Sequence, residues 1–442
     1  MTANNTNDPL RVAVVGAGVV GLALAAGLLA HGIDVVLYEQ ATALKEIGTG
    51  IGLLPTAVTA MEALSPSMAE AMKRISFQLS FRMGIVNGAS NEDLSLRQEG
   101  ALYDLVVPDE QGRIMHTMAR AALATTLLDH VPKERLKLGK KVVDVVSTSA
   151  SEPVSLVFAD GTTAEADAVV ACDGVKSRIR RVMLGDAHPG SLCQYAHEVC
   201  YRALVDSSAL RSILGPLADV TALYLAPGAY LIVYPVGVRA NISVYVHDAS
   251  HSPPRASQSH GRVAPRAELA AVLSKLGPNI RAIADILPEE VSVWALHDLL
   301  EHPLATYAFG RVCLAGDAAH AATSHHGAGA GIGVEDAAVL CKLLERVKSK
   351  VASGSKVSEA AMIETALGLY DAARRERSQW VVWSSRRQGE LMKCMVPEIG
   401  NDLDKIEADL IGRTRTLLDC DVHATLERVL RELDERIAAM EA

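Results

Sequence analysis

The chain has 442 residues, 49% of them apolar, and a formal charge of −9. That length exceeds one ordinary domain, the apolar share supports sizeable cores and excludes a largely disordered chain, and the acidic balance argues against a nucleic-acid binder. Seven cysteines with no CxxC spacing argue against a disulfide framework or a zinc knuckle and fit a reducing compartment, so a cytoplasmic location is expected.

Met1 to Pro9 are polar and lack a basic n-region, so they do not read as a signal peptide. Val12-Ala13-Val14-Val15 reads as a strand buried on both faces. Leu22 to Ala30 reads as a helix stopped by Gly32, and Val35-Val36-Leu37-Tyr38 as the second strand. Four glycines interrupt the apolar run Val12 to Leu29, so it is not taken as a membrane span. A glycine-rich stretch follows with Gly48, Gly50 and Gly52, then helices expected over 56–73 and 116–130. Residues 141–170 alternate as a small sheet does and end in a buried strand, Ala168 to Ala171. Cys200 to Val205, Ala222 to Leu225, Tyr230 to Val236 and Asn241 to His247 form an antiparallel meander, punctuated by the turn Ala226-Pro227-Gly228. Residues 250–267 read as an exposed loop and Val291 to Leu296 as strand-like. From 311 a strand, a glycine-rich turn and a long helix return, with a linker at 349–357 and helices over 357–392 and 402–440. Arg374-Arg375-Glu376-Arg377 and Arg386-Arg387 read as a solvated basic face.

Gly16-Ala17-Gly18-Val19-Val20-Gly21 fits GxGxxG between a strand and a helix, and Glu39 ends the next strand 18 residues beyond Gly21. In that context the motif is a dinucleotide fingerprint. Gly16 permits the turn, Gly18 lets backbone approach a pyrophosphate at the helix N-terminus, Gly21 lets helix and strand pack closely, and Glu39 accepts from ribose hydroxyls. The motif alone does not choose between FAD and NAD.

Two later runs follow buried strands: Ala171-Cys172-Asp173-Gly174-Val175-Lys176-Ser177-Arg178, and Gly316-Asp317-Ala318-Ala319-His320 leading into Gly327-Ala328-Gly329-Ala330-Gly331. With the N-terminal fingerprint they resemble the flavoprotein aromatic hydroxylases, the single-component FAD monooxygenases of the salicylate and p-hydroxybenzoate hydroxylase type, over about residues 10–390. The resemblance implies tightly bound, non-covalent FAD. Asp317 would meet its ribitol chain, Ala330 and Gly331 the flavin edge at a helix start, and Arg120 and Gly52 would be further cofactor contacts. Asp173 would lie near the pyrophosphate and the groove where NADH or NADPH docks transiently, since no second GxGxxG occurs. Ser324 stands where the family usually has a proline, four residues after His320. His320, His325 and His326 lack a suitably spaced fourth ligand, so no metal site is expected.

The implied fold is α/β. A discontinuous Rossmann-type FAD-binding domain (1–188 and 302–348) would carry an inserted antiparallel β-sheet substrate domain (189–301) and a C-terminal helical region (357–442). On the meander, alternation puts Cys200, Arg202 and Leu204 on one face, and Tyr230, Ile232 and Tyr234 on one face of their strand. Arg202 and Tyr234 resemble the arginine–tyrosine pair of fungal phenol hydroxylases and dearomatising monooxygenases of polyketide pathways. There the pair would stabilise a phenolate facing an electrophilic flavin C4a-hydroperoxide. Tyr195, His197, Tyr224, Tyr245 and Trp294 read as packing or pocket wall, and His297-Asp298 as a possible lining. The expected activity is hydroxylation of a phenolic, polyketide-type substrate with NAD(P)H and O2, either ortho-hydroxylation or hydroxylative dearomatisation. The alternatives are a decarboxylating salicylate-type hydroxylase, a non-oxygenating FAD reductase or desaturase, or a non-catalytic NAD-binding regulator. No nucleic-acid or membrane partner is expected, and the last helices could pack on the body or form a homodimer.

Overall fold

The computed structural model describes residues 10–44, 50–79, 83–90, 114–147, 152–250 and 261–442. Met1 to Pro9, Gly48 and residues 251–260 of the expected loop lie outside them. The strand Arg11–Val15 is buried on both faces, as its continuous apolar run demands. It pairs in parallel with Asp34–Tyr38 on one side and Ala168–Ala171 on the other. Ala168–Ala171 pairs in turn with Val312–Leu314, also in parallel. Strands from both sides of the meander therefore share one six-stranded sheet. The helices Val19–Ala30 and Gly329–Ala352 pack together in its core, so this α/β unit is discontinuous in sequence and continuous in space.

The meander is a seven-stranded sheet in the order 262–265, 290–298, 194–206, 239–247, 229–236, 221–226, 83–87. Its two faces have different neighbours. Val199, Tyr201, Ala203 and Val205 share one core with Leu210 and Leu269 of the helices Ser207–Leu214 and Arg266–Leu273. On the opposite face Cys200, Tyr230 and Tyr245 share a core with Leu391, Met392, Ile406 and Leu410 of the C-terminal helices. Those helices thus cover only part of this second face. Arg202, Leu204, Ile232 and Tyr234, on the same face by register, are half-buried.

Several elements differ from expectation, each for a local reason. Residues 116–119 belong to the strand Met115–Ala119, which is pinned between Gly50–Leu53 and Phe77–Leu79; only Arg120–Leu128 is helical. Sheet pairing here overrides helix propensity. The helix expected over 56–73 breaks at Ser65, whose hydroxyl caps Met68 N–H at 3.4 Å, before Pro66, which has no N–H to continue the ladder. The helix expected over 402–440 is two, Leu403–Leu418 and Val422–Glu441, the second capped by Asp421. Within the expected 250–267 loop, Arg262–Pro265 is an edge strand on Glu290–Asp298. Met83–Asn87, ahead of the insertion in sequence, joins the meander in parallel. The helix Val422–Glu441 packs on Gly329–Ala352 and Glu359–Met392. Among the described residues no helix is long and apolar enough to cross a membrane.

Candidate active site

The fingerprint turn is held by backbone crowding. Gly16 has φ +102°, and a Cβ there would strike the Cys172 carbonyl. A Cβ on Gly21 would overlap the Gly16 carbonyl, so this glycine permits the helix to sit directly on the turn. Gly18 behaves differently. A Cβ there would meet nothing within 4 Å, so the backbone at the start of the 12-residue helix Val19–Ala30 faces open space. Glu39 accepts from Ala17 N–H and Ala41 N–H, each at 2.8 Å. Its carboxylate is thereby fixed at the mouth of the turn, with lone pairs left for a ligand.

The two later motifs close around this turn. Asp173 caps the helix Arg178–Leu184, accepting from Ser177 Oγ at 2.5 Å and from the N–H groups of Arg178 and Ile179 at 2.8 and 3.1 Å. Desolvation still raises its pKa above the usual range, although these bonds pull the other way. Its backbone abuts Gly16, so the carboxylate shapes the loop beside the nucleotide turn while being committed to a cap. Asp317 is exposed, whereas residues 311–316 and 318–320 on either side of it are buried. Its carboxylate has no protein partner among the described residues, and it stands 4.0 Å from the Cβ position of Gly329. Ala330 and Gly331 lie in the first turn of Gly329–Ala352, whose first N–H groups have no partner within the helix and no side-chain cap. Gly331 packs against Ala57, and a Cβ on Gly333 would strike Val20, which brings this helix onto the fingerprint helix. Gly52 lies in Gly50–Leu53, a strand in contact with the Gly329–Ala352 helix, and Arg120 follows directly on Ala119, the register partner of Gly50.

Two residues that sequence reasoning left without a role lock these motifs together. Arg180 is fully buried. It donates to the carbonyls of Val175 at 2.7 Å, Ala318 at 3.0 Å and Ser191 at 3.2 Å, tying the Asp173 turn to the Asp317 turn. Asp336 is also fully buried and accepts from Gly316 N–H at 3.1 Å, His320 Nε2 at 2.5 Å and Arg374 Nε at 2.8 Å. The basic clusters are therefore not a solvated face throughout. Arg374 is 2% exposed between Asp336 and Glu335, Arg377 binds Glu335, and Arg386 binds the buried Asp298 at 2.8 Å. Arg375 and Arg387 pair with Asp371 and Glu398, and Arg386 also reaches the exposed Glu301.

On the open face of the meander, Arg202 donates through Nε to Cys200 Sγ at 3.3 Å and through Nη2 to Ser324 Oγ at 3.0 Å. A guanidinium has five N–H donors, so three remain without a protein partner among the described residues. Burial pushes the Tyr234 phenol up to about 12, although the Arg202 charge beside it pulls the other way. A Cβ on Gly50 would come within 2.9 Å of the Tyr234 hydroxyl, so the glycine-rich strand closes over that ring. Deeper in, Tyr230 stacks on Tyr245 at 4.5 Å, and its hydroxyl bonds His325 Nδ1 at 2.6 Å. His325 Nε2 meets Glu198 at 2.9 Å, and Lys393 meets the same carboxylate at 2.8 Å.

The three histidines face three different partners: Asp336 for His320, Tyr230 and Glu198 for His325, and Ser384 for His326 at 2.8 Å. Burial pushes His326 down to about 3, which keeps it neutral. Of the remaining candidates, Asp298 is buried on Arg386, and Tyr195 donates to Asp248 at 2.6 Å.

A family model described as an FAD binding domain matches residues 9–360. The chain is 37% identical over 445 residues to an FAD-dependent monooxygenase of Aspergillus niger, covering 98% of this chain and 99% of that one. The chain belongs to the FAD-dependent monooxygenases. It is 35% identical over 400 residues to a salicylate hydroxylase of Sarocladium schorii, covering 87% and 82% of the two chains. It also superimposes on a salicylate hydroxylase solved as a substrate complex, with 31% identity and a TM-score of 0.78 over 96% of this chain and 98% of that one.

The cofactor of this monooxygenase is FAD, and the residues present suit it. Open space at Gly18, the fixed acceptor Glu39 and the exposed Asp317, unpartnered among the described residues, are features that suit such a dinucleotide. Glu39→Ala is expected to purify with markedly less flavin, because it removes a charge-assisted ribose bond worth about 1.5–3 kcal/mol and releases the Ala17 and Ala41 N–H groups. Asp317→Ala should lose flavin as well, with no loss of internal bonds. Flavin-to-protein absorbance ratios check both, and full flavin in both variants would remove these two residues from the cofactor site.

Proposed function

We propose that this monooxygenase hydroxylates a phenolic aromatic ring, using NADH or NADPH and O2, with the substrate held between the open face of the meander and the flavin edge. Bound and reduced, FAD supplies an electrophilic oxygen atom drawn from O2. The observation that carries the proposal is Arg202, a cation with three uncommitted N–H groups on a half-buried face, beside a tyrosine that stays protonated. A phenolate is a better nucleophile than a phenol, and a desolvated guanidinium stabilises that anion more strongly than it would in water. Tyr234, with its pKa pushed up to about 12, remains a donor at neutral pH and orients the same oxygen. The apolar Ile232 and Leu204 beside them suit a ring. Asp173, Arg120 and Gly52 serve this function through the nucleotide loop and the strand beside it. Likeness to salicylate hydroxylases supports a second outcome, hydroxylation with loss of a carboxylate as CO2.

The test is a panel of phenols, salicylate included, scored for faster flavin reduction, hydroxylated product and CO2. Tyr234→Phe should keep FAD and lower product formed per reductant consumed. The loss of rate should be about five- to a hundred-fold, the worth of one hydrogen bond to a charged oxygen. A panel with no effect on flavin reduction and no product would overturn the proposal.

A further inference from the structure

The loop that precedes the Gly329–Ala352 helix does more than lead into the flavin edge. Ser324, within it, meets two side chains of the meander. Its Oγ accepts from Arg202 Nη2 at 3.0 Å and bonds the Tyr245 hydroxyl at 3.0 Å. Tyr245 is itself held by stacking on Tyr230 at 4.5 Å, and Tyr230 by its bond to His325, the residue next to Ser324. The serine therefore ties the flavin-side loop to the arginine-bearing strand through Arg202, beside the bond of its neighbour His325 to Glu198 on the same strand.

A guanidinium on a long side chain has several staggered conformers to choose from. Arg202 is fixed at two points, Nε on Cys200 Sγ and Nη2 on Ser324 Oγ. Both donors lie in the one guanidinium plane, so two anchors fix that plane, whereas with either alone it can turn about the remaining hydrogen bond. Three N–H groups stay uncommitted among the described residues. A proline at position 324 has no side-chain acceptor, so it could not do this.

We infer that Ser324 is a positioning residue for Arg202, locking the guanidinium plane toward the substrate oxygen and registering it to the flavin-side loop. The inference rests on the proposed role of Arg202 as the phenolate-binding group.

The experiment measures phenol binding to the FAD-loaded enzyme by perturbation of the flavin absorbance. Salicylate and a set of hydroxybenzaldehydes are screened, and the tightest binder serves as the probe. Ser324→Ala should retain wild-type flavin content and bind the probe roughly 3- to 30-fold more weakly, within the range of one hydrogen bond to a charged group. Ser324→Thr keeps the hydroxyl and should recover most of the affinity. In an Arg202→Gln background Ser324→Ala should change nothing further, because its effect passes through the arginine. A merely structural serine would weaken binding in both backgrounds. If Ser324→Ala binds as wild type while Arg202→Gln does not, the inference falls and the role of Arg202 stands. If Arg202→Gln also binds as wild type, or no phenol in the set perturbs the wild-type flavin, both fall.

Discussion

Arg202→Gln is expected to purify with full FAD and to form hydroxylated product at least about 100-fold more slowly than the wild type. The magnitude is that of removing a preorganised stabiliser of developing charge from a water-poor site. Glutamine keeps a polar group of similar reach and loses the fixed positive charge. The nucleotide turn is untouched, since the contacts of Arg202 are to Cys200 and Ser324 and none of the nucleotide-turn residues bonds to it. Reduced flavin should then return its electrons to oxygen as peroxide, so reductant consumption should outlast product formation. The measurement is product formed per reductant consumed, with peroxide followed in parallel. Arg202→Lys should recover only part of the loss, because an ammonium replaces the charge and not the planar fork. Unchanged coupling and rate in Arg202→Gln would return this residue to the status of a strand charge.

What could be seen in the sequence was local, and what could not was paired across distance. Gly16, Gly18, Gly21 and Glu39 lie within one strand–turn–helix–strand unit, so their spacing alone reports their geometry, and the structure adds only that Glu39 also fixes the turn through Ala17 and Ala41. Alternation likewise suffices to put Arg202 and Cys200 on one face. The solvated reading of the Arg374 cluster fails because its carboxylate partners lie about forty residues upstream, on another helix. Nothing local distinguishes a buried arginine from an exposed one in a helical run. The strand Met115–Ala119 has the same difficulty, since its pairing partners are Gly50–Leu53 and Phe77–Leu79. For Asp173 the structure adds what spacing does not report: its turn packs against Gly16, and its carboxylate caps the Arg178–Leu184 helix. Ser324 was legible as a departure from a proline and not as a partner of Arg202, 122 residues away.

The Arg374 cluster carries the largest expected effect on stability. Arg374 and the carboxylates of Glu335 and Asp336 are each no more than 2% exposed, with Arg374 Nη2 to Glu335 at 2.8 Å and Nε to Asp336 at 2.8 Å. Asp336 in turn holds the Gly316 N–H, one residue before Asp317. Arg374→Met therefore strands two buried carboxylates, with Arg377 and His320 as the basic side chains still beside them, and should cost about 3–5 kcal/mol. The same change should loosen flavin, because it frees the turn that presents Asp317. The pH dependence has a definite sign. Arg374 and His320 hold Asp336 below the usual carboxylate range, and Arg374 and Arg377 do the same for Glu335, each against its own desolvation. A carboxylate whose pKa is lower folded than unfolded contributes stability that is present above its unfolded pKa and is lost as pH falls through the folded one. The wild type should therefore lose stability on acidification below about pH 4, where unfolded carboxylates take up protons. In Arg374→Met the stranded carboxylates titrate higher, so the deficit against wild type should be largest at neutral pH and shrink as both proteins are acidified. Urea midpoints of the FAD-loaded proteins between neutral pH and about pH 4 read this directly. Adding Asp336→Asn to Arg374→Met should return part of the loss, since an amide can still accept from Gly316 N–H without carrying a buried charge. A wild-type midpoint in Arg374→Met, or a deficit that does not change with pH, would show that the cluster holds the fold through packing and not through charge.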